Sequence, residues 1–585
     1  MARRKRALEP EEVTALVVDD VDDDFLEDFD DSDSSGVSAY TDTESEPEIE
    51  AGSQSDADEQ TEADDDVQHN WQSQSAVNRC SFPFTGDSGV KLVLEDDQSP
   101  LEIFQAIFDD SLLDHIVSET NKYAVKVCAE KRRKGKMKRN SRDLLWKETN
   151  KGEMYAFLGL LLLQETVKKP SIYSYHSTNQ LISTPFFGKC ISRDRFALLK
   201  YLHFTDSEDA SDPTFKFKEV LDNLIQRFKS SYIPKQNISI DESLLLWKGR
   251  LKWKRYIPLK RARFGIESYI LAESDTGYVW DLFVYTGKQT KYDFEIEGLS
   301  DEKVKTLKKP TKIVLKLMQS LVNQGYILGV DNFYTSPELF EILLDNKTDA
   351  IGTVRSNRKL LSPVVRSKVL KKGETVVEYK HKMMHMKWRD KKYVNMLSTI
   401  YEDSMEEVAV AGQRVSKPDV CIKYRKHHMA GVDKMDQIIS VQTSARKGVK
   451  KYYKKIFLRL LDIAALNCHV IYKANGGRKC FLDFKLQLIE EIISKYGSDI
   501  YCLKKPSRDL SLRPCPARLS GRHFLVETGP HDENSDKKVQ RQCVYCALLK
   551  KKKRSIYSCD VCQLTLCVVP CFKLYHTVAA LPKNG

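Results

Sequence analysis

A chain of 585 residues is too long for one hydrophobic core and implies roughly three or four domains. Its formal net charge of +10 hides an asymmetry: residues 1–70 hold 25 Asp and Glu against 4 Lys and Arg, a net of −21, while the rest holds 89 Lys and Arg against 58 Asp and Glu, a net of +31. No apolar run approaches the roughly 18 residues of a membrane span, so a membrane role is set aside and a basic body that meets a polyanion is expected.

Residues 1–75 alternate acidic runs with Ser, Thr and Gly and hold too few apolar groups to offset the entropy of ordering. With the polar stretch that follows, residues 1–96 are expected to form a disordered acidic tail. Met1–Arg6 lacks the apolar core of a signal peptide, so an intracellular, reducing setting is expected. Arg3-Arg-Lys-Arg6 has the composition of a nuclear-import signal, and Ser32, Ser34, Thr41, Thr43 and Ser45 suit an acidophilic kinase. An unmodified solubilising tail fits the same residues.

From 97 to 236 the apolar spacing is helical. Leu101, Phe104, Ile107 and Phe108 mark one helix, Tyr123, Val127 and Cys128 a second, and Trp146 with Tyr155–Leu163 a third. Lys131–Arg139 is a basic run that suits either phosphate contact or a solvated loop.

At 237 the pattern turns to strands. In Asn237-Ile-Ser-Ile-Asp241 the isoleucines alternate with polar neighbours, and Asp241 falls on the opposite face. Lys248-Gly249 reads as a hairpin turn into Leu251–Tyr256, with further strands at 268–272 and 278–285 and a helix over 312–323. Ile327–Val330 has the length of a buried strand and ends in Asp331. Ser336-Pro337 then supplies an N-cap and a first-turn proline for a helix with Leu339, Phe340, Leu343 and Leu344 on its apolar face. Asp331 thus sits where α/β sheets place their sites, although a turn-forming Asp has the same sequence context. A last strand over 350–354 completes the order of a ribonuclease-H-like domain (237–357) within a multi-domain α/β protein. That fold draws carboxylates from its first strand, its fourth strand and a late helix. Asp241 and Asp331 fill the first two places.

Residues 358–418, rich in Lys and Arg, read as a small insertion, and 419–442 as the return of the catalytic domain. There Gly431-Val-Asp433-Lys-Met-Asp436-Gln437 opens a helical pattern, with Asp433 and Asp436 three apart and so on one face. These three acidic blocks, Asp241-Glu242, Asp331-Asn332 and the Asp433 segment, resemble those of the piggyBac transposases, and the chain from about 97 to 578 resembles the vertebrate piggyBac transposable-element-derived proteins. The resemblance implies a DNA transposase with Asp241, Asp331 and Asp433 as catalytic triad and Asp436 as a possible fourth carboxylate. Phosphodiester cleavage by two Mg²⁺ needs this chemistry, because hard cations take oxygen ligands and one carboxylate can bridge both ions. A double-stranded DNA partner, TTAA-type targets, hairpin intermediates, a homodimer and a nuclear location are implied by the resemblance.

Lys248–Arg263 holds eight basic residues and no acid, among them Lys252, Lys254, Arg255 and Lys260, interleaved with Trp253 and Tyr256. Arg446, Lys447, Lys450 and Lys451 follow the third acidic block. Basic groups bind phosphate without regard to sequence while aromatics stack on exposed bases, so both groups are expected on DNA. The family commonly has Trp where this chain has Tyr452, and Lys-Pro where it has Lys260-Arg261, which bears on flanking DNA rather than on metal. Residues 443–510 return to helix, and the resemblance implies that they pack on 97–236 as one split helical domain for DNA binding and dimerisation.

Residues 520–585 form a cysteine-rich end. Cys543-x2-Cys546, Cys559-x2-Cys562, Cys567, Cys571 and His576 give seven ligands within 34 residues, one short of two closed Zn²⁺ sites. His523 is the candidate eighth, matching the upstream His that often precedes this finger in the family. A cross-brace zinc finger with two Zn²⁺ is therefore expected, beside the basic run Lys550–Arg554. Two functions remain open: a transposase, and a domesticated DNA- or chromatin-binding protein that retains the fold.

Overall fold

The computed structural model describes residues 70–74, 79–94, 99–138, 141–205, 211–258, 260, 262–410, 413–441, 443–445, 449–497, 523–528, 538–549, 551–562 and 564–578. The acidic run 1–69 with its import and kinase motifs, Arg261, Arg446, Lys447 and Lys550 lie outside them. Two compact units divide the chain at Ser498 and Asp499.

The first unit is built on a nine-stranded sheet. Its strands are β3 (Asn237–Leu246), β4 (Arg255–Tyr256), β5 (Phe264–Glu273), β6 (Val279–Val284), β7 (Ile327–Val330), β8 (Asp349–Thr353), β9 (Thr375–Lys380), β10 (Met383–Arg389) and β11 (Tyr393–Ser398), preceded in the chain by the short β1 (Gly89–Val90) and β2 (Tyr232–Ile233). The spatial order β6-β5-β3-β7-β8 is antiparallel through β3 and parallel from β3 to β8. Three antiparallel strands followed by two parallel ones is the strand order anticipated from the sequence. β7 is buried at every residue, as a strand covered on both faces must be.

Helices α1 (Pro100–Ile107), α2 (Asp110–Arg133), α3 (Lys151–Thr166) and α4 (Lys218–Ser231) precede the sheet. Ser99, Asp109 and Asn150 cap the first three through their side chains. Late in the unit, α8 (Tyr452–Ala474) packs on α1 and α4, and α9 (Phe481–Tyr496) on α1 and α3. Tyr155 stacks on Tyr496 at 4.6 Å and Phe204 packs at a tilt against Phe457 at 4.6 Å, so aromatic contact joins segments some 250 to 340 residues apart. Between these helical segments run α5 (Lys309–Met318), α6 (Pro337–Asp345) and α7 (Ala430–Val441). α5 stops at Met318, earlier than expected, and the chain turns through Leu321 before β7.

Three sequence expectations change. Order begins well before residue 97. Trp71 donates to Leu360 O at 3.1 Å and meets His385 edge-on, Phe82 N donates to Asp349 Oδ2 at 2.8 Å, Phe84 packs edge-on against Tyr326, and β1 pairs with β2. A polar strap with a few aromatic anchors has no periodicity to betray it. Second, 358–418 does not stand apart: β11 pairs with β8, and β10 and β9 continue the main sheet, burying Met384, Met386 and Trp388. Only β12 (Met405–Val410) and β13 (Gln413–Pro418) form a separate hairpin. Third, β3 pairs with β5 rather than with 251–256, of which only Arg255–Tyr256 is strand.

In the second unit two short antiparallel pairs, 525–527 with 557–559 and 541–542 with 554–555, frame the cysteines.

Candidate functional site

Asp241 lies in β3 and Asp331 directly after β7. The parallel register pairs Ile240 with Val330, so the two aspartates leave neighbouring strands at the same level, their backbones about 5 Å apart. Asp331 also does the turn chemistry its sequence allows, accepting from Phe333 N at 2.9 Å, while Ser336 caps α6 by accepting from Leu339 N. One side chain is thereby aimed and the following helix started.

Both carboxyls bind protons unusually well. Burial, then the Glu242 carboxylate and Asp331, holds Asp241 well above the ordinary carboxylate range, against the pull of Lys260. Burial and Glu242 push Asp331 up to about 6 although the Phe333 and Tyr334 amides oppose this. The chain supplies its own counter-charge: Lys260 Nζ reaches Glu242 Oε1 at 3.1 Å and Glu242 O at 3.0 Å. A cluster of oxygen donors that crowds negative charge and draws in a lysine fits a hard divalent cation.

α7 lies on β3. Gly431 permits this, because a Cβ there would fall 2.5 Å from Ser239 Oγ and 2.8 Å from Glu273 O. Asp433 is exposed on α7. Asp436 turns toward the sheet, accepts from Ser243 Oγ at 2.8 Å and pairs with Arg459 of α8. The structure therefore brings Asp241 and Asp331 together, puts Asp433 on a helix over the same strand, and ties Asp436 to an arginine rather than leaving it free.

Among the basic candidates, Lys252 and Lys450 are exposed and Lys254 lies over the Phe264 ring. Arg255 pairs with Glu267 at 3.0 Å, Lys260 with Glu242, and Lys451 donates to Tyr123 OH at 3.1 Å. Periodicity cannot report such long-range partners, nor could it find Arg355 and Arg358, which bond to Asn332 and the backbone beside Asp331. Their only sequence signal is the basic pair following β8.

In the second unit the eight expected ligands fall into two interleaved groups, His523–Cys559–Cys562–His576 and Cys543–Cys546–Cys567–Cys571, the ligand atoms of each within 4.8 Å of one another. Cys546 Sγ lies 3.4 Å from Cys571 Sγ and 3.9 Å from Cys567 Sγ, close to the roughly 3.8 Å edge of a tetrahedron with 2.3 Å Zn–S bonds. Amides of Cys546 and Cys567 donate to Cys543 Sγ, and that of Cys562 to Cys559 Sγ, which favours thiolates. His576 engages Phe572 O through Nδ1 at 2.8 Å, orienting Nε2 toward Cys562. His523 completes the first group, and the donor sets fit zinc.

A family model described as Transposase IS4 matches residues 99–469, and one described as a DDE_Tnp_1-like zinc finger matches 526–577. The chain is 23% identical over 509 residues to the human PiggyBac transposable element-derived protein 3, covering 82% of this chain and 76% of that protein. It is 24% identical over 423 residues to the human PiggyBac transposable element-derived protein 2, covering 69% and 65% respectively. Its fold is similar to the cryo-EM structure of a piggyBac transposase synaptic complex with hairpin DNA, at a TM-score of 0.62, 23% identity, and coverage of 82% of this chain and 98% of that one. With a transposase model spanning more than half of its length and a zinc-finger model at its end, the chain belongs to the piggyBac transposase family.

Proposed function

We propose that this protein is a DNA strand-transfer enzyme that cuts phosphodiester bonds with two Mg²⁺ held by Asp241, Asp331 and Asp433. The observation that carries this reading is the pairing of Asp241 with Asp331 at the same level of adjacent parallel strands, both above their ordinary pKa. The ions supply Lewis acidity to the attacking and leaving oxygens. The chain's own residues do the rest: Asp331 is fixed by the Phe333 amide, Glu242 and Lys260 balance local charge, and the exposed Lys252 and Lys450 meet backbone phosphate. Asp436, engaged by Arg459 and Ser243, positions α7 on β3 rather than holding metal. Two Zn²⁺ in the interleaved groups organise the C-terminal unit, and a homodimer acting on TTAA-flanked double-stranded DNA in the nucleus follows the reading of the family.

The second reading, a domesticated DNA- or chromatin-binding protein, is favoured by the low identity to relatives named only as transposable-element-derived. Excision of a matched donor element in cells separates the two. Enzymatic function predicts excision by the wild-type chain and none by Asp331→Ala at equal protein level. Equal excision by both chains removes Asp331 from the mechanism, and no excision of any matched donor favours binding.

A further inference from the structure

Two residues before the candidate ligands, Ser239 of β3 and Gly329 of β7 are partners in the parallel register that also brings Asp241 and Asp331 together. Alternation along β3 puts Ser239 on the same face as Asp241. The chain that leads into α7 crosses the sheet at this level. A Cβ at Gly329 would fall 2.2 Å from His428 O, and one at Gly431 would meet Ser239, so residues 428–431 lie against β7 and then β3, two residues short of the aspartates.

The approach to that crossing is not regular α-helix. From Tyr424 to His428 the chain makes a π-turn, closed by Met429 N donating to Tyr424 O at 3.0 Å. Such turns recur at functional sites. Side chains hold this one on three sides. Tyr424, 6% exposed, donates its hydroxyl at 2.9 Å to Val330 O, the carbonyl immediately before Asp331. His428 O accepts from Ser274 Oγ at 2.9 Å, and His428 Nε2 lies 2.7 Å from Tyr401 OH. Lys434, next to Asp433 on α7, donates to Ser274 O and Asp275 O at 2.9 and 2.8 Å.

Tyr424 precedes Asp433 by nine residues. Its hydroxyl therefore holds the peptide of one candidate ligand from the start of the turn that delivers another. The surrounding core has no use for that hydroxyl. The ring packs with Ile351, Met384, Trp388 and Val420, where phenylalanine would serve equally well.

We propose that Tyr424 is a positioning residue for the metal-binding carboxylates, its hydroxyl setting Asp331 against α7, and so against Asp433, at the spacing a shared Mg²⁺ requires. The assignment deepens the enzymatic reading above and rests on it. Mg²⁺ demands near-ideal octahedral geometry, so a slightly displaced carboxylate shows as lost affinity rather than as lost fold.

The test is Mg²⁺ binding by calorimetry to the full-length protein at pH 8, comparing wild type, Tyr424→Phe and Tyr155→Phe. Tyr155 supplies the control: it is equally buried and donates its hydroxyl to Phe108 O at 2.9 Å, joining α3 to the end of α1. Each variant loses one buried hydrogen bond to a carbonyl, and thermal melts measure what that costs the fold. Only Tyr424→Phe should weaken Mg²⁺ binding, by about tenfold, the lower end of the loss seen when a group that orients metal ligands is removed. Its nicking of matched element ends should need about tenfold more Mg²⁺ for half-maximal rate, with duplex affinity unchanged. Wild-type Mg²⁺ affinity in Tyr424→Phe overturns the positioning role alone. Equal weakening in Tyr155→Phe overturns it too, since the loss of any buried bond would then suffice. A wild-type chain that binds no Mg²⁺ overturns the enzymatic reading and this role with it.

Discussion

Replacing Asp331 with Asn should stabilise the metal-free protein above pH 6 while removing its response to metal. Asp331 is pushed from 3.8 to about 6 in the folded chain by burial and by Glu242. A folded carboxyl with a raised pKa holds its proton more tightly than the unfolded chain does. Its contribution to stability is therefore complete below about pH 4 and is lost as pH rises through about 6. A difference of roughly two units corresponds to about 3 kcal/mol of penalty at pH 8. Asn retains an oxygen to accept from Phe333 N, so the turn before α6 survives the substitution. With EDTA present, the variant's advantage should be near zero at pH 4 and grow to about 1–3 kcal/mol at pH 8, read by chemical denaturation of both chains across that range. Added Mg²⁺ should then raise wild-type stability and leave Asp331→Asn unmoved, because a ligand stabilises only the state that binds it. An advantage of equal size at every pH, or a less stable variant at pH 8, would refute the reasoning.

Other predictions follow from the same contacts. Metal binding measured by calorimetry should strengthen as pH rises through about 6, since Asp331 must release its proton to serve as ligand. Chelation, or Cys546→Ser, should unfold the C-terminal unit and leave the sheet intact by hydrogen exchange, because structural zinc contributes on the order of 10 kcal/mol to a domain of this size. Deleting residues 1–69, which carry 25 acidic and 4 basic residues, should tighten nonspecific DNA binding at low salt. Extending that deletion through residue 94 should cost stability instead, because it strips Trp71, Phe82 and Phe84 from their partners. Asp436→Asn should retain nicking within about tenfold of wild type, a loss under about 1.4 kcal/mol in the barrier.

Sequence reading succeeded where a short-range signal carries the structure. The run Ile327–Val330, its terminal Asp331 and the Ser336-Pro337 cap give strand, candidate carboxylate and helix start within eleven residues, and the strand and the capped helix form there. The Cys and His spacing likewise gave seven candidate ligands and the family resemblance the eighth, His523, though not the interleaving that spatial proximity reveals. It failed where the determining contact is distant. Lys- and Arg-rich 358–418 looked like an insertion because of its charge, yet within it Met384, Met386 and Trp388 supply the sheet's core. Arg255, Lys260 and Arg459 are indistinguishable from solvent-facing cations until Glu267, Glu242 and Asp436 are seen opposite them.

The most direct test of the account is a Mg²⁺-dependent nicking assay on duplexes carrying the matched element ends, comparing the wild-type chain with the Asn variants of Asp241, Asp331 and Asp433, with DNA binding measured on the same preparations. The account predicts nicking by wild type and none by any of the three variants, each of which still binds the duplex. Nicking at the wild-type rate by Asp331→Asn would contradict it.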